Sequence, residues 1–170
     1  MTVIAVRCLK DPQALTMTIE AEFDASAERL WQLWADPRQL ERWWGPPNYP
    51  ATVTQHNLAP GGRVEYRMTG PAGERHRGYW EILEVEAPRR LVFSDAHANA
   101  DDTPNTDMQL ATTRVTIEEV AVGRTRMSIE SRFPNAEAME WVLATGTDVG
   151  RTQAVGQMDA ILAEQTIQRP

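Results

Sequence analysis

At 170 residues, 42% hydrophobic and 24% charged, the chain is long enough for one domain with a substantial core and ordinary in composition for a globular protein. Lys and Arg total 17 against 24 Asp and Glu, so the formal net charge is -7, a balance that repels nucleic acid and anionic membranes and disfavours both as partners. The single cysteine, Cys8, excludes an intrachain disulfide, and no apolar run approaches the ~20 residues that span a bilayer. The N-terminus has no signal-peptide pattern, so no membrane insertion and a cytoplasmic setting are expected.

Residues 1–12 read as an N-terminal extension, 13–165 as one domain and 166–170 as a tail. Cys8 lies in the extension, far from any base, and reads as a half-buried thiol rather than a nucleophile. In 15–23, Leu15, Met17, Ile19, Ala21 and Phe23 alternate onto one face, the pattern of a half-buried strand. Ser26 is then a helix cap, with Glu28 and Arg29 in the first turn and Leu30, Leu33 and Trp34 sharing a face. Asp36-Pro37 closes this helix and opens a second, in which Leu40 and Trp43 point the same way. Gly45-Pro46-Pro47 stops it.

Strands are expected at 51–58, 63–69, 74–86, 90–95, 110–120 and 124–133. Gly70-Pro71-Ala72-Gly73 and Gly123 mark hairpins, and Pro88 is an interruption. Val64, Tyr66 and Met68 alternate in one strand; Gly78, Trp80 and Ile82 share a face in the next, with Gly78 suggesting a bend or bulge. Leu91 and Phe93 point inward. Thr113, Val115 and Ile117 alternate in one arm of the last hairpin, and Thr125, Met127, Ile129 and Ser131 in the other. Residues 96–109 are polar and loop-forming, a candidate gate.

From Ala136 to about Glu164, apolar residues recur at helical spacing, predicting an amphipathic helix of about 28 residues, about 42 Å long, capped by Asn135. Gly146 and Gly150 on its buried face are expected to let a sheet or ligand approach closely. Two short helices, a long antiparallel sheet and a closing helix make an α+β, two-layer arrangement with room for a cavity between helix and sheet.

Four of the six Trp lie between positions 31 and 44, a large apolar area in one place. Trp34, Trp43, Tyr66, Met68, Trp80, Phe93, Met127, Ile129, Met139 and Leu143 are expected between helix and sheet. Plain core packing accounts for any one of them; together, with Gly146, they are the candidate ligand-binding set. The polar tips of Tyr66 and Trp80 suit an amphipathic ligand.

Polar groups are less suggestive. His56, His76 and His97 fall in different elements without metal-ligand spacing, and Asp95, Asp101, Asp102 and Asp107 do not match a calcium loop, so no metal is expected. Glu84, Glu86 and Glu118 point to solvent, and Arg63, Arg75 and Arg77 are placed there too. The glycine-rich turns lack the strand–loop–helix setting of a phosphate cradle, so no cofactor is expected.

The stretch FDASAERLWQLWADPRQLERWWGP (23–46), then PGGRVEYRMTGPAG, GYWEILEVEAPRRLVFSD and the closing helix, resembles the SRPBCC superfamily of START-like, birch-pollen-allergen-like proteins. The Asp36-Pro37, Leu40, Trp43-Trp44, Gly45-Pro46 element is similar to the branch of the C-terminal domain of the heat-shock-protein ATPase activator. The resemblance covers about residues 13 to 164. It implies a helix-grip fold, a curved antiparallel sheet wrapped around a long C-terminal helix with two short helices, and a cavity. It carries no universal catalytic triad, and fold alone does not give function.

The leading expectation is a non-enzymatic protein that encloses a small apolar or aromatic molecule. One alternative is a cyclase, dehydratase or hydrolase, with Asp95, His76, Glu130 or Arg132 as its polar candidates. The other is an interaction module similar to the chaperone-ATPase activator. A homodimer through exposed Trp31, Trp44 or Trp141 is compatible with all three.

Overall fold

The computed structural model describes residues 6–97, 111–144 and 146–168. Its eight strands form one antiparallel sheet in the order β1-β2-β8-β7-β6-β5-β4-β3. The strands are β1 (Arg7–Asp11), β2 (Thr16–Phe23), β3 (Ala51–His56), β4 (Arg63–Thr69), β5 (Arg75–Glu86), β6 (Arg90–His97), β7 (Ala111–Ala121) and β8 (Arg124–Arg132). The long order of hairpin-linked strands closes only where β8 returns beside β2, with Ile19 opposite Ile129 and Met17 opposite Ser131. With helices against one face, this is the α+β helix-grip arrangement.

Helix α1 (Ala27–Ala35) starts where Ser26 Oγ accepts from the Arg29 amide at 3.3 Å. A second anchor comes from across the sheet: Glu119 Oε1 accepts from the Ala27 amide at 3.3 Å, a carboxylate at the positive end of the helix. Asp36 caps α2 (Pro37–Trp43) through the Arg38 amide at 2.9 Å, with Pro37 in the first turn. The two helices bury Leu30, Leu33, Trp34, Leu40 and Trp43 against the sheet, each at most 1% exposed.

Three features depart from the sequence reading. Residues 7–11 are a strand rather than plain extension: β1 pairs with β2, Cys8 standing opposite Ile19. Gly78 carries no bulge. The β4–β5 register runs unbroken through it, and the irregularity lies between Ile82 and Glu84, where Leu83 turns outward at 50% exposure.

The C-terminal helix is segmented into α3 (Ala136–Ala144), α4 (Thr147–Gly156) and α5 (Met158–Gln168). Asn135 Oδ1 accepts from the Ala138 amide at 2.8 Å, as its capping position requires. The break falls at Gly146, whose φ of 79° is left-handed and stops regular helix hydrogen bonding. A Cβ on Gly146 would meet nothing within 4 Å, and one on Gly150 only Pro46 Cγ at 3.7 Å. The glycines thus do not bring helix close to sheet; Gly146 turns the chain.

This turn divides the core. α1, α2, α4 and α5 share one large cluster with the sheet. Under α3 lies a second, smaller one of Met17, Phe133, Met139 and Val142, with Leu143 and Cys8 packed against it.

Candidate functional site

The centre of the inner face is an aromatic wall. Trp80 stacks on Phe93 with ring centroids 4.1 Å apart and planes 16° from parallel. Trp34 meets Trp43 edge-on at 4.7 Å, and Trp44 meets Trp80 edge-on at 4.8 Å. Strand alternation supplies Tyr66, Trp80 and Phe93, and the two short helices supply the other three rings. Met127 and Ile129 belong to the same cluster, and Tyr66 and Met68 flank it half-buried. Met139 and Leu143 sit apart, in the second cluster, and Gly146 is exposed. The expected set therefore divides into an aromatic group with two neighbours on β8 and a separate α3 group.

Beside the wall lies a polar cluster. Continuing the inward phase of β6 past Leu91 and Phe93 brings Asp95 inside, at 7% exposure. Its Oδ2 accepts from Thr113 Oγ1 at 2.7 Å. Thr113 Oγ1 and Ser131 Oγ are 3.3 Å apart, and Arg151 Nη1 of α4 donates to Ser131 Oγ at 2.9 Å. Thr113 has one hydroxyl proton, committed to Asp95, so Ser131 donates to Thr113. Donation thus runs one way, from Arg151 through Ser131 and Thr113 to Asp95. The two charges face each other directly as well, Arg151 Nη2 lying 3.8 Å from Asp95 Oδ2. Pairing of this kind is what permits ionised groups to be enclosed.

Tyr66 joins the two regions. Burial, and next the negative charge of Asp95, push its phenol well above the usual range, so it stays protonated. Trp44 packs edge-on to Tyr66 at 5.8 Å and carries the Arg151 guanidinium 5.2 Å from its own ring centroid. Trp44 and Trp80 both act as side-chain donors toward the Tyr66 oxygen; among the described residues the buried Nε1 of Trp34 has no hydrogen-bond partner, whereas Trp43 Nε1 donates to the Leu33 carbonyl at 2.8 Å.

Of the polar residues weighed from sequence, Asp95 alone reaches this place. His76 is exposed beside Tyr49, and Glu130 and Arg132 lie on the opposite face of β8 from Ser131, 3.8 Å from each other. Glu84, Glu86 and Glu118 face solvent, while Arg63 lies over the Tyr79 ring at 4.3 Å. Trp31 and Trp44, expected at the surface, are buried at 6% and 4%, because both turn onto the core cluster; Trp141 is 39% exposed. Among the described residues no group of three or more His, Cys, Asp or Glu is placed to hold a metal ion. Residues 96 and 97 extend β6, and the remainder of the 96–109 loop, with its gating role, lies outside the described residues.

Arg151 was not singled out from sequence. A signal existed: it stands three, four and seven residues before Ala154, Val155 and Met158, all buried, and so shares their face.

The arrangement has counterparts in other proteins. Residues 24–163 match the family described as activator of Hsp90 ATPase homolog 1-like protein. Crystalline protein Ms6760 from Mycobacterium smegmatis is 44% identical, with a TM-score of 0.86 over 95% of this chain and 99% of that one. A protein from Arthrobacter aurescens solved by NMR is 43% identical, with a TM-score of 0.88 over 96% of this chain and 93% of its own. The AHSA1 protein from Silicibacter pomeroyi shares the fold at 21% identity, with a TM-score of 0.71 over 88% of this chain and 99% of that one. No protein with a curated description matches the chain. Among the described residues, no helix is long and apolar enough to cross a membrane.

Proposed function

Because the chain belongs to the activator of Hsp90 ATPase homolog 1-like family, of the SRPBCC type, we propose that it binds a small, largely aromatic molecule between its C-terminal helices and the inner face of the sheet. The ligand's apolar body rests on the rings around Trp44 and Trp80, and its polar end meets Tyr66 and the Asp95–Arg151 cluster. Burial of apolar area supplies most of the affinity, and the few polar groups set orientation.

The observation that supports this best is the pairing of an aromatic wall with buried polar groups in excess of what packing needs. Enclosing an ion pair costs several kcal/mol per charge before the pair's attraction is counted, and a filled apolar core would serve stability as well or better. Half-buried Tyr66 and Met68 give the wall an approachable margin.

The test is thermal unfolding of the purified protein against a library of small aromatic molecules. A ligand at about 100 times its Kd stabilises the folded state by about 2.7 kcal/mol. Such a member should raise Tm, and Tyr66→Phe should weaken its effect. A library in which no member raises Tm would count against the proposal.

The enclosed carboxylate of Asp95 favours one second reading, proton transfer to or from the bound molecule. Mass spectrometry of a ligand recovered after long incubation decides it, since an unchanged ligand leaves binding alone. A chaperone-activator role comes to this chain from the family's description only, and stimulation of a bacterial chaperone's ATPase by the added protein would establish it.

A further inference from the structure

The two edges of the sheet differ in how they are closed. β3, at one end, is covered by α2: Glu41 Oε1 accepts from the Val53 amide at 3.0 Å, and Arg38 Nη2 donates to the Val53 carbonyl at 2.9 Å. The β3–β4 ladder also shifts register between Val53 and Gln55, an irregularity of the kind that blunts an edge. β1, at the other end, pairs with β2 alone, and its ladder is unbroken from Arg7 to Asp11. Among the described residues, no side chain hydrogen-bonds to the β1 backbone. A regular, uncovered edge is a template for one more strand.

Strand alternation sets what that strand would meet. Cys8 and Lys10 point to the helix side, where Cys8 packs on both core clusters and Lys10 bonds Asp148 of α4. Lysine is the charge that ordinarily guards an edge, and here it is turned to a helix and neutralised. Arg7, Leu9 and Asp11 point to the other face, where Leu9 is 47% exposed.

This order of basic, apolar and acidic side chains is its own complement. Two copies of β1, antiparallel about a two-fold axis at Leu9, place Arg7 opposite the partner's Asp11 on both sides of a Leu9–Leu9 contact. Cys8 then stands opposite the partner's Lys10, and no like charges meet. An axis at Lys10 would set two ammonium groups against each other, and one at Cys8 would make no ion pair, so charge selects a single register. Both charges have capacity for the second partner. Arg7 Nη2 donates to Glu20 at 3.0 Å, and a guanidinium carries five N–H donors. Asp11 Oδ1 accepts from the Gln13 and Ala14 amides, each at 3.1 Å, which leaves Oδ2 to accept from an arginine.

We infer that the uncovered edge of β1 binds a second copy of this chain, the two sheets joining through antiparallel β1 strands held by the Arg7–Asp11 pairs. Five-residue strands make a short interface, so the dimer is weak and reversible. It uses the sheet edge rather than the aromatic surface expected from sequence, of which Trp141 alone is exposed.

Sedimentation equilibrium of the intact chain at rising concentration tests this. The wild type should approach twice the mass of one chain and dissociate on dilution. Arg7→Glu and Asp11→Lys each replace two attractive pairs by two like-charge pairs, and each should weaken association about tenfold or more. Thermal melts check that both remain folded. Mixed in equal amounts the two variants should dimerise again, since each supplies the charge that the other's strand now lacks. Trp141→Ser should associate as the wild type does. A second reading uses Leu9→Cys in a Cys8→Ser background, which on air oxidation should cross-link faster than Val122→Cys in the same background, although Val122 is fully exposed. A wild type that stays monomeric at every concentration would overturn the inference. So would single variants that associate undiminished, a mixture that stays monomeric, a dimer lost in Trp141→Ser, or equal cross-linking at positions 9 and 122.

Discussion

Tyr66 and Gly78 are partners across the β4–β5 ladder, and the phenol of one lies against the bare Cα of the other, so a Cβ on Gly78 would stand 2.5 Å from the Tyr66 hydroxyl and 2.6 Å from Cζ. This close approach sets where the phenol sits relative to the aromatic wall. Gly78→Ala is expected to destabilise by about 1–3 kcal/mol through overpacking. In a Tyr66→Leu background the same change should be neutral or stabilise by about 0.5 kcal/mol, since alanine suits a strand better than glycine. Urea denaturation of the four proteins in this cycle measures the coupling.

Arg151 and Asp95 form the second cycle. Replacing either alone, as Arg151→Met or Asp95→Leu, leaves the other charge enclosed and should cost about 3–5 kcal/mol. The double variant should cost less than the sum by about 1–3 kcal/mol. Additive losses in denaturant titrations would mean that the two charges do not stabilise each other.

Two glycines of the C-terminal helix should respond in opposite directions. Gly146 has a φ of 79°, so Gly146→Ala should destabilise by about 1–2 kcal/mol despite the open space around it. Gly156 lies in α4 without positive φ or a neighbour within 4 Å of an added Cβ, and Gly156→Ala should stabilise by about 0.4–1 kcal/mol. Thermal melts of the two variants check both signs.

α4 is tied to the edge strand by Lys10 and Asp148, 2.6 Å apart. The hydrogen bond from Lys10 holds the Asp148 carboxyl below its ordinary value of 3.8, and the same contact holds the Lys10 ammonium above 10.5. A depressed acid stabilises the fold above its unfolded value and loses that contribution as pH falls through the folded one. A raised base contributes below its unfolded value and loses the contribution as pH rises through the folded one. Stability from this pair therefore holds across the neutral range and falls below about pH 4 and above about pH 10. Asp148→Asn should lower stability at pH 7 and flatten the acid side of the profile, as measured by denaturation at stepped pH.

Much of this architecture was legible because it rests on local rules. The alternation of Met17, Ile19, Ala21 and Phe23, and the caps at Ser26 and Asp36, follow from backbone geometry whatever surrounds them. Strand β1 escaped notice because an edge strand pairs on one side only, and RCLKD, largely exposed, needs no clear alternation. The break at Gly146 was hidden because the apolar pattern resumes in α4 and α5 after a turn that adds no polar stretch. Within the site, the rings were readable as apolar and large, but the separation of Met139 and Leu143 from them depends on the direction the chain takes at that turn. Asp95 could be named from the phase of β6. Arg151 could not be paired with it, because the ion pair joins residues 56 positions apart through packing that periodicity does not encode.

A ligand held by the aromatic wall must touch Trp44 and Trp80. The most direct measurement is the NMR spectrum of the six tryptophan indole N–H groups in nitrogen-labelled protein, assigned by single Trp→Phe changes, as an aromatic molecule that raises Tm is added. The resonances of Trp44 and Trp80 should move together on binding, while that of exposed Trp141 stays in place. A saturating ligand that leaves Trp44 and Trp80 unmoved, or that shifts only Trp141, would contradict this placement.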